Sequence, residues 1–88
     1  MLSSKMDETT ITIGTQYDPE YTRKLWEQRL KSISQEPVTA EIISKDSNVP
    51  KLGYRITIEI KGLSDQQVKN CVLADQLSGG FLGRWVEE

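Results

Sequence analysis

Histidine is absent from the chain, and cysteine occurs once, at Cys71. Without histidine the commonest general base, the commonest metal ligand and the side chain that titrates nearest neutral pH are all missing. One thiol can form neither an internal disulfide nor a thiolate metal cluster. No Ser-His-Asp or Cys-His constellation can be assembled, so catalytic, metal and cofactor sites are all expected to be none. A lone reduced thiol fits a reducing compartment, and the expected location is cytoplasmic. No apolar run approaches the length that spans a bilayer, so a membrane is not expected as a partner. Met1 to Thr9 has no apolar stretch long enough for a signal peptide and reads as a polar tail, 1–9. A basic surplus is also lacking: 11 Lys and Arg face 13 Asp and Glu, for a net charge of −2 and a pI near 5.1. Dedicated nucleic-acid binders draw most of their affinity from phosphate neutralisation, so nucleic acid ranks below protein as a partner.

What is present suits a small folded domain. The 88 residues give one domain, 10–88, with a modest core. Hydrophobic residues at 36% and charged residues at 27% are ordinary for a globular chain. Thr10-Ile11-Thr12-Ile13 alternates polar and apolar, as a half-buried strand does, and Gly14 is expected to end it. Asp18 is the expected cap of a helix entered through Pro19 and running to about Gln35. Its apolar face carries Leu25, Trp26, Leu30 and Ile33, with Tyr21 at the margin. Glu20–Lys24 and Glu27–Lys31 stand at pairing distance along its other side. Val38 to Ile42 and Tyr54 to Lys61 alternate again, joined by the turn-like Asp46-Ser47-Asn48-Val49-Pro50. Ser64 with Gln67 forms the capping box of a second helix, whose stripe is Val68, Cys71 and Val72. Ser78-Gly79-Gly80 stops it, and Phe81 to Val86 is a fourth strand or a docked tail.

This order, β-α-β-β-α with a final β, predicts an α+β fold. One antiparallel sheet with both helices on one face, a two-layer sandwich, is the simplest solution, and the split β-α-β ferredoxin-like arrangement is its natural form. The alternation points Ile11, Ile13, Val38, Ala40, Ile42, Ile56, Ile58 and Ile60 inward. Thr10, Thr12, Thr39, Glu41, Ile43, Arg55, Thr57, Glu59 and Lys61 then form the open face.

The candidate contact residues follow from that division. Ile43, Arg55, Glu59 and Lys61 lie on the open face. Phe81 and Trp85 either pack in the core, leaving Leu82 and Arg84 outside, or form an exposed aromatic patch while Leu82 and Val86 turn inward. Arg29 sits at the edge of the apolar stripe of the first helix, where it either covers the core with its stem or anchors an acidic partner. Cys71 lies mid-helix on the stripe and reads as a small buried hydrophobe. No two carboxylates stand at a spacing that builds an acid–base pair. Gly79-Gly80-Phe81-Leu82-Gly83 follows a helix and opens none, so it is no phosphate loop. Asp46-Ser47-Asn48 has too few oxygens for calcium.

Several strings resemble an RNA-recognition motif across residues 10 to 86. Ile11-Thr12-Ile13-Gly14-Thr15 stands at the first strand motif, and Gly53-Tyr54-Arg55-Ile56-Thr57-Ile58 at the third. Leu77-Ser78-Gly79 followed by Leu82-Gly83-Arg84 resembles the end of the second helix and the fourth strand. The resemblance implies the same topology and a sheet that stacks bases on aromatics. The chain departs from it at Thr12 and Ile56, where that family places stacking rings. Shared topology does not carry function.

The expected function is therefore a small non-enzymatic protein-interaction module: a subunit, adaptor or inhibitor, of the kind phages and plasmids encode, acting through its sheet face or edge. A homodimer is one form of that expectation. The alternatives are a divergent nucleic-acid binder of RNA-recognition topology and an enzyme using only carboxylate, Lys, Arg or Tyr groups.

Overall fold

A computed structural model describes residues 7–49 and 53–87 of the chain. Its elements run β1 (Glu8–Thr15), α1 (Pro19–Ser34), β2 (Thr39–Val49), β3 (Gly53–Lys61), α2 (Asp65–Leu77), α3 (Leu82–Trp85) and β4 (Val86–Glu87). β2, β3 and β1 form a three-stranded antiparallel sheet, and the helices pack on it. The two residues of β4 extend the sheet beside β1, Val86 opposite Ile13 and Glu87 opposite Thr12.

β1 is longer than its alternation predicts. Glu8 pairs with Lys61 and Thr9 with Ile60, so the expected tail 1–9 gives up its last two residues to the sheet. Gly14 does not end the strand; it pairs with Arg55, and Thr15 pairs with Tyr54. β2 likewise runs on through the expected turn residues Asp46, Ser47 and Asn48 to Val49. It does so at the cost of two register irregularities, between Ile42 and Ser44 and between Asp46 and Val49. Such bulges let a strand carry residues of poor strand propensity while the ladder resumes beyond them. Pro50, the last of the turn residues, lies outside the described residues.

α1 begins as its sequence dictates. The Asp18 carboxylate accepts from the backbone N–H of Glu20 and Tyr21, and Pro19 occupies the first turn. Gln35 ends the helix in the left-handed region at φ 60°. The ion pairs on its exposed side differ from the expected Glu20–Lys24 and Glu27–Lys31. Arg23 engages both carboxylates, Glu20 at 2.6 Å and Glu27 at 3.5 Å. The reason lies across the helix–strand contact. Arg23 Nη1 donates to the Ala40 carbonyl at 2.9 Å, and the Ala40 N–H donates to Glu27 Oε2 at 3.0 Å. Ala40 is in edge strand β2, so this pair of side chains covers both polar groups that the sheet leaves unpaired there.

α2 carries the full capping box: the Gln67 N–H donates to Ser64 Oγ, and the Ser64 N–H donates to Gln67 Oε1. Gly62 precedes it at φ 108°, where a Cβ would meet the Pro37 carbonyl, so an L side chain is excluded twice over.

One core joins the layers. Ile13, Val38, Ala40, Ile56, Ile58 and Ile60 come from the sheet, Trp26 and Leu30 from α1, and Val68 and Cys71 from α2. Leu63, between β3 and α2, and Leu82 of α3 close it. Burying each large aliphatic side chain contributes about 1.5–3 kcal/mol, which is why the isoleucine alternation of β3 fixes its register. Ile11 and Ile42 pack against this core only partly buried. Among the described residues no helix is long and apolar enough to cross a membrane.

Candidate functional surface

Residues 81–86 are not a strand. Leu82–Trp85 is a single helical turn, and only Val86 joins the sheet. Gly79 and Gly80 first reverse the chain beyond α2. The Gly80 N–H donates to the Asp75 carbonyl at 2.7 Å, and the Ser78 N–H to the Ala74 carbonyl at 3.2 Å. A helical turn places Phe81 and Trp85, four residues apart, on the same side and Leu82 on another. Leu82 is fully buried, whereas Phe81 and Trp85 are partly buried at the rim of the core. Neither alternative set out by sequence holds as it stands: Leu82 turns inward as the exposed-patch case has it, while Phe81 and Trp85 still pack partly against the core.

Phe81 and Trp85 continue into a string of rings. Phe81 and Trp85 have centroids 4.7 Å apart, Trp85 and Tyr17 5.8 Å, and Tyr17 and Tyr21 5.9 Å, all mutually tilted. Tyr17 is 55% exposed and Tyr21 53%. With Leu25 and Arg84 these four rings line a recess of about 320 Å³ at one end of the domain. The chain has six aromatic residues (two Trp, three Tyr, one Phe), and four of them meet here.

A buried ion pair holds the surface in shape. Asp75 lies on α2 with its side chain fully buried. Arg29 of α1 reaches Asp75 Oδ1 through Nε at 2.9 Å and also through Nη2. The Leu82 N–H donates to Asp75 Oδ2 at 3.0 Å. One carboxylate thus ties α1, α2 and the first turn of α3 together. Burial pushes the Asp75 carboxyl up, but the Leu82 N–H, the Arg29 guanidinium and the Phe81 N–H outweigh it and hold the group below its ordinary value. Gly80 leaves room for this arrangement, since a Cβ there would collide with the Asp75 carboxylate. The Arg29 guanidinium also lies 6.0 Å from the Phe81 ring centroid, within reach of a cation–π contact.

Of the residues singled out by sequence, Arg29, Phe81, Arg84 and Trp85 therefore converge on one surface. Ile43, Arg55, Glu59 and Lys61 do not join them. They lie on strands β2 and β3 and do not line the recess, with Glu59 paired to Lys61 at 3.6 Å. The open face is unlike a base-stacking platform: Thr12 occupies it, Ile56 is fully buried, and Tyr54 packs against the core. Sequence reasoning missed Tyr17, Asp75 and the outward role of Tyr21. Asp75 had a signal, because it extends the stripe Val68, Cys71, Val72 by one more step of helical spacing. An acid on a buried stripe demands a partner.

A second recess, of about 300 Å³, lies between α2 and β1 and is lined in part by Ile11, Val68, Val72, Leu73 and Val86. Its charged groups, Asp65 and Lys69, pair with each other at 3.1 Å. Cys71 is buried and its thiol is pushed up by desolvation, so it is no activated nucleophile. Among the described residues no group of three or more His, Cys, Asp or Glu side chains stands in position to hold a metal ion. Comparison with protein-family models, with curated proteins and with solved structures finds no match.

Proposed function

We propose that the chain is a non-enzymatic protein-interaction module of ferredoxin-like fold, which binds its partner through the aromatic end surface. The strand order β2-β3-β1-β4 supports the fold reading, being the order that the split β-α-β arrangement requires. One observation carries the functional reading: four of the six aromatic side chains gather around a recess at the surface, two of them more than half exposed. Tyr, Trp and Arg are the residues that dominate binding energy at protein interfaces, and here they stand together. A recess of this size falls at the lower bound of small-molecule pockets and suits one or two inserted side chains.

The sheet edge is a weaker site than sequence suggests. At Ala40 of β2, Arg23 and Glu27 occupy the groups an added strand would use.

The test is affinity capture from nuclease-treated lysate of the source cells, comparing the wild-type chain with a Tyr17→Ser/Tyr21→Ser variant and an Ile43→Ser/Lys61→Ser variant. The reading predicts a stoichiometric protein lost only with the tyrosine variant. Loss only with the sheet-face variant moves the site to the open face, and a nuclease-sensitive partner replaces the reading with nucleic-acid binding.

A further inference from the structure

We infer that the occupant of the aromatic recess is an acidic linear peptide segment of a partner protein, which places an aliphatic or proline side chain among the rings and a carboxylate on Arg84. This inference rests on the interaction surface proposed above and names the chemistry of its partner.

The charge around the recess carries the argument. Among the described residues its lining holds one cation, Arg84, and no carboxylate. Lys24 follows Tyr21 by three residues on α1, a spacing that makes them neighbours on the helix surface. Of three nearby acids, Glu20 and Asp75 are held in ion pairs, and Asp18 keeps its charge while it caps α1. Asp18 accepts two backbone N–H groups at the start of α1. Glu20 is bound by Arg23 through three hydrogen bonds. Asp75 is buried against Arg29 and the Leu82 N–H. The recess itself therefore presents apolar ring surface with Arg84 as its charged group, although the whole chain carries a net charge of −2. An acidic segment complements it, and an Arg–carboxylate contact is charge-assisted and directional.

The ring geometry favours a side chain over a flat base. Trp85 and Tyr17 are inclined by 53°, and Tyr17 and Tyr21 by 60°. Inclined neighbours leave slots between rings rather than one flat platform. Aromatic-lined grooves of this kind take up the apolar residues of extended and proline-containing segments.

The test sorts a displayed library of random linear peptides against the purified chain, then measures the selected peptides against Arg84→Glu and Tyr17→Ser/Tyr21→Ser variants. Unchanged thermal melts confirm that both variants fold. Selected peptides are expected to carry Asp or Glu next to an aliphatic or proline residue. They should bind Arg84→Glu roughly tenfold or more weakly, and the Arg84→Glu chain should itself select basic peptides. Peptides that need Tyr17 and Tyr21 but show no acidic preference overturn this inference and leave the interaction surface standing. Peptides indifferent to the tyrosines overturn both. A library that yields no binder, or a chain that retains a single-stranded oligonucleotide instead, overturns the acidic-peptide assignment.

Discussion

Asp75 and Arg29 form an unequal pair: the carboxylate is wholly buried, while the guanidinium side chain remains 40% exposed. Removing either partner therefore has a different cost. Arg29→Ala leaves a buried carboxylate without its counter-ion, and breaking a buried pair this way destabilises by about 3–5 kcal/mol. Asp75→Asn keeps the shape and some hydrogen bonding, and Arg29 can turn to water, so urea denaturation should show a smaller loss, about 1–3 kcal/mol. The pH dependence follows from the lowered carboxyl. A folded-state value below the unfolded one contributes stability that is complete above the unfolded value and is lost as pH falls through the folded one. Wild-type stability should therefore decline below about pH 4, and Asp75→Asn should flatten that part of the profile. Gly80→Ala should destabilise more than Gly79→Ala in the same assay. A Cβ at Gly80 strikes the Asp75 carboxylate, whereas at Gly79 it meets open space and only the φ of 81° opposes it. Cys71 should resist thiol reagents in the native chain and react fully in denaturant, since it is buried with a raised thiol.

Among the elements, those specified by local chemistry were legible in the sequence. The caps at Asp18 and Ser64 and the isoleucine alternation of β3 act within a few residues, and they stand where sequence places them. The ends of β1 and β2 were not legible, because pairing partners set them. Glu8 and Thr9 become strand only through Lys61 and Ile60, and β2 passes through Asp46 and Ser47 only because β3 lies beside it. Residues 81–86, which sequence left open between a strand and a docked tail, were undecided for a related reason. Their hydrophobicity fits a strand, but the Asp75 carboxylate accepts the Leu82 N–H and begins a helical turn instead. The aromatic surface was half legible. Phe81, Trp85, Arg84 and Arg29 were singled out by type, whereas Tyr17 belongs to the loop before α1 and meets Trp85 only through the tertiary fold. At this scale the prediction concerns separability. Tyr17→Ser should change stability by no more than about 0.5 kcal/mol, as exposed positions usually do, while abolishing partner capture.

For the whole molecule, the arrangement divides labour between its ends and faces. The sheet buries Ile13, Ile56, Ile58 and Ile60 beneath two helices, its open face carries threonines and charges that partly pair with each other, and the edge at Ala40 is covered by Arg23 and Glu27. That leaves the end surface, where rings stay exposed because the Asp75 network fixes α3 against α1. A domain of 88 residues has little core to spare, so four aromatic side chains gathered at the rim are a large fraction of its packing capacity. The measurement that tests this most directly is site-specific photo-crosslinking in the source cells, with a photoreactive phenylalanine analogue placed at position 21 in one chain and at position 43 in another. The account predicts a discrete protein adduct from position 21 and none from position 43. An adduct from position 43 alone contradicts it and assigns recognition to the sheet face.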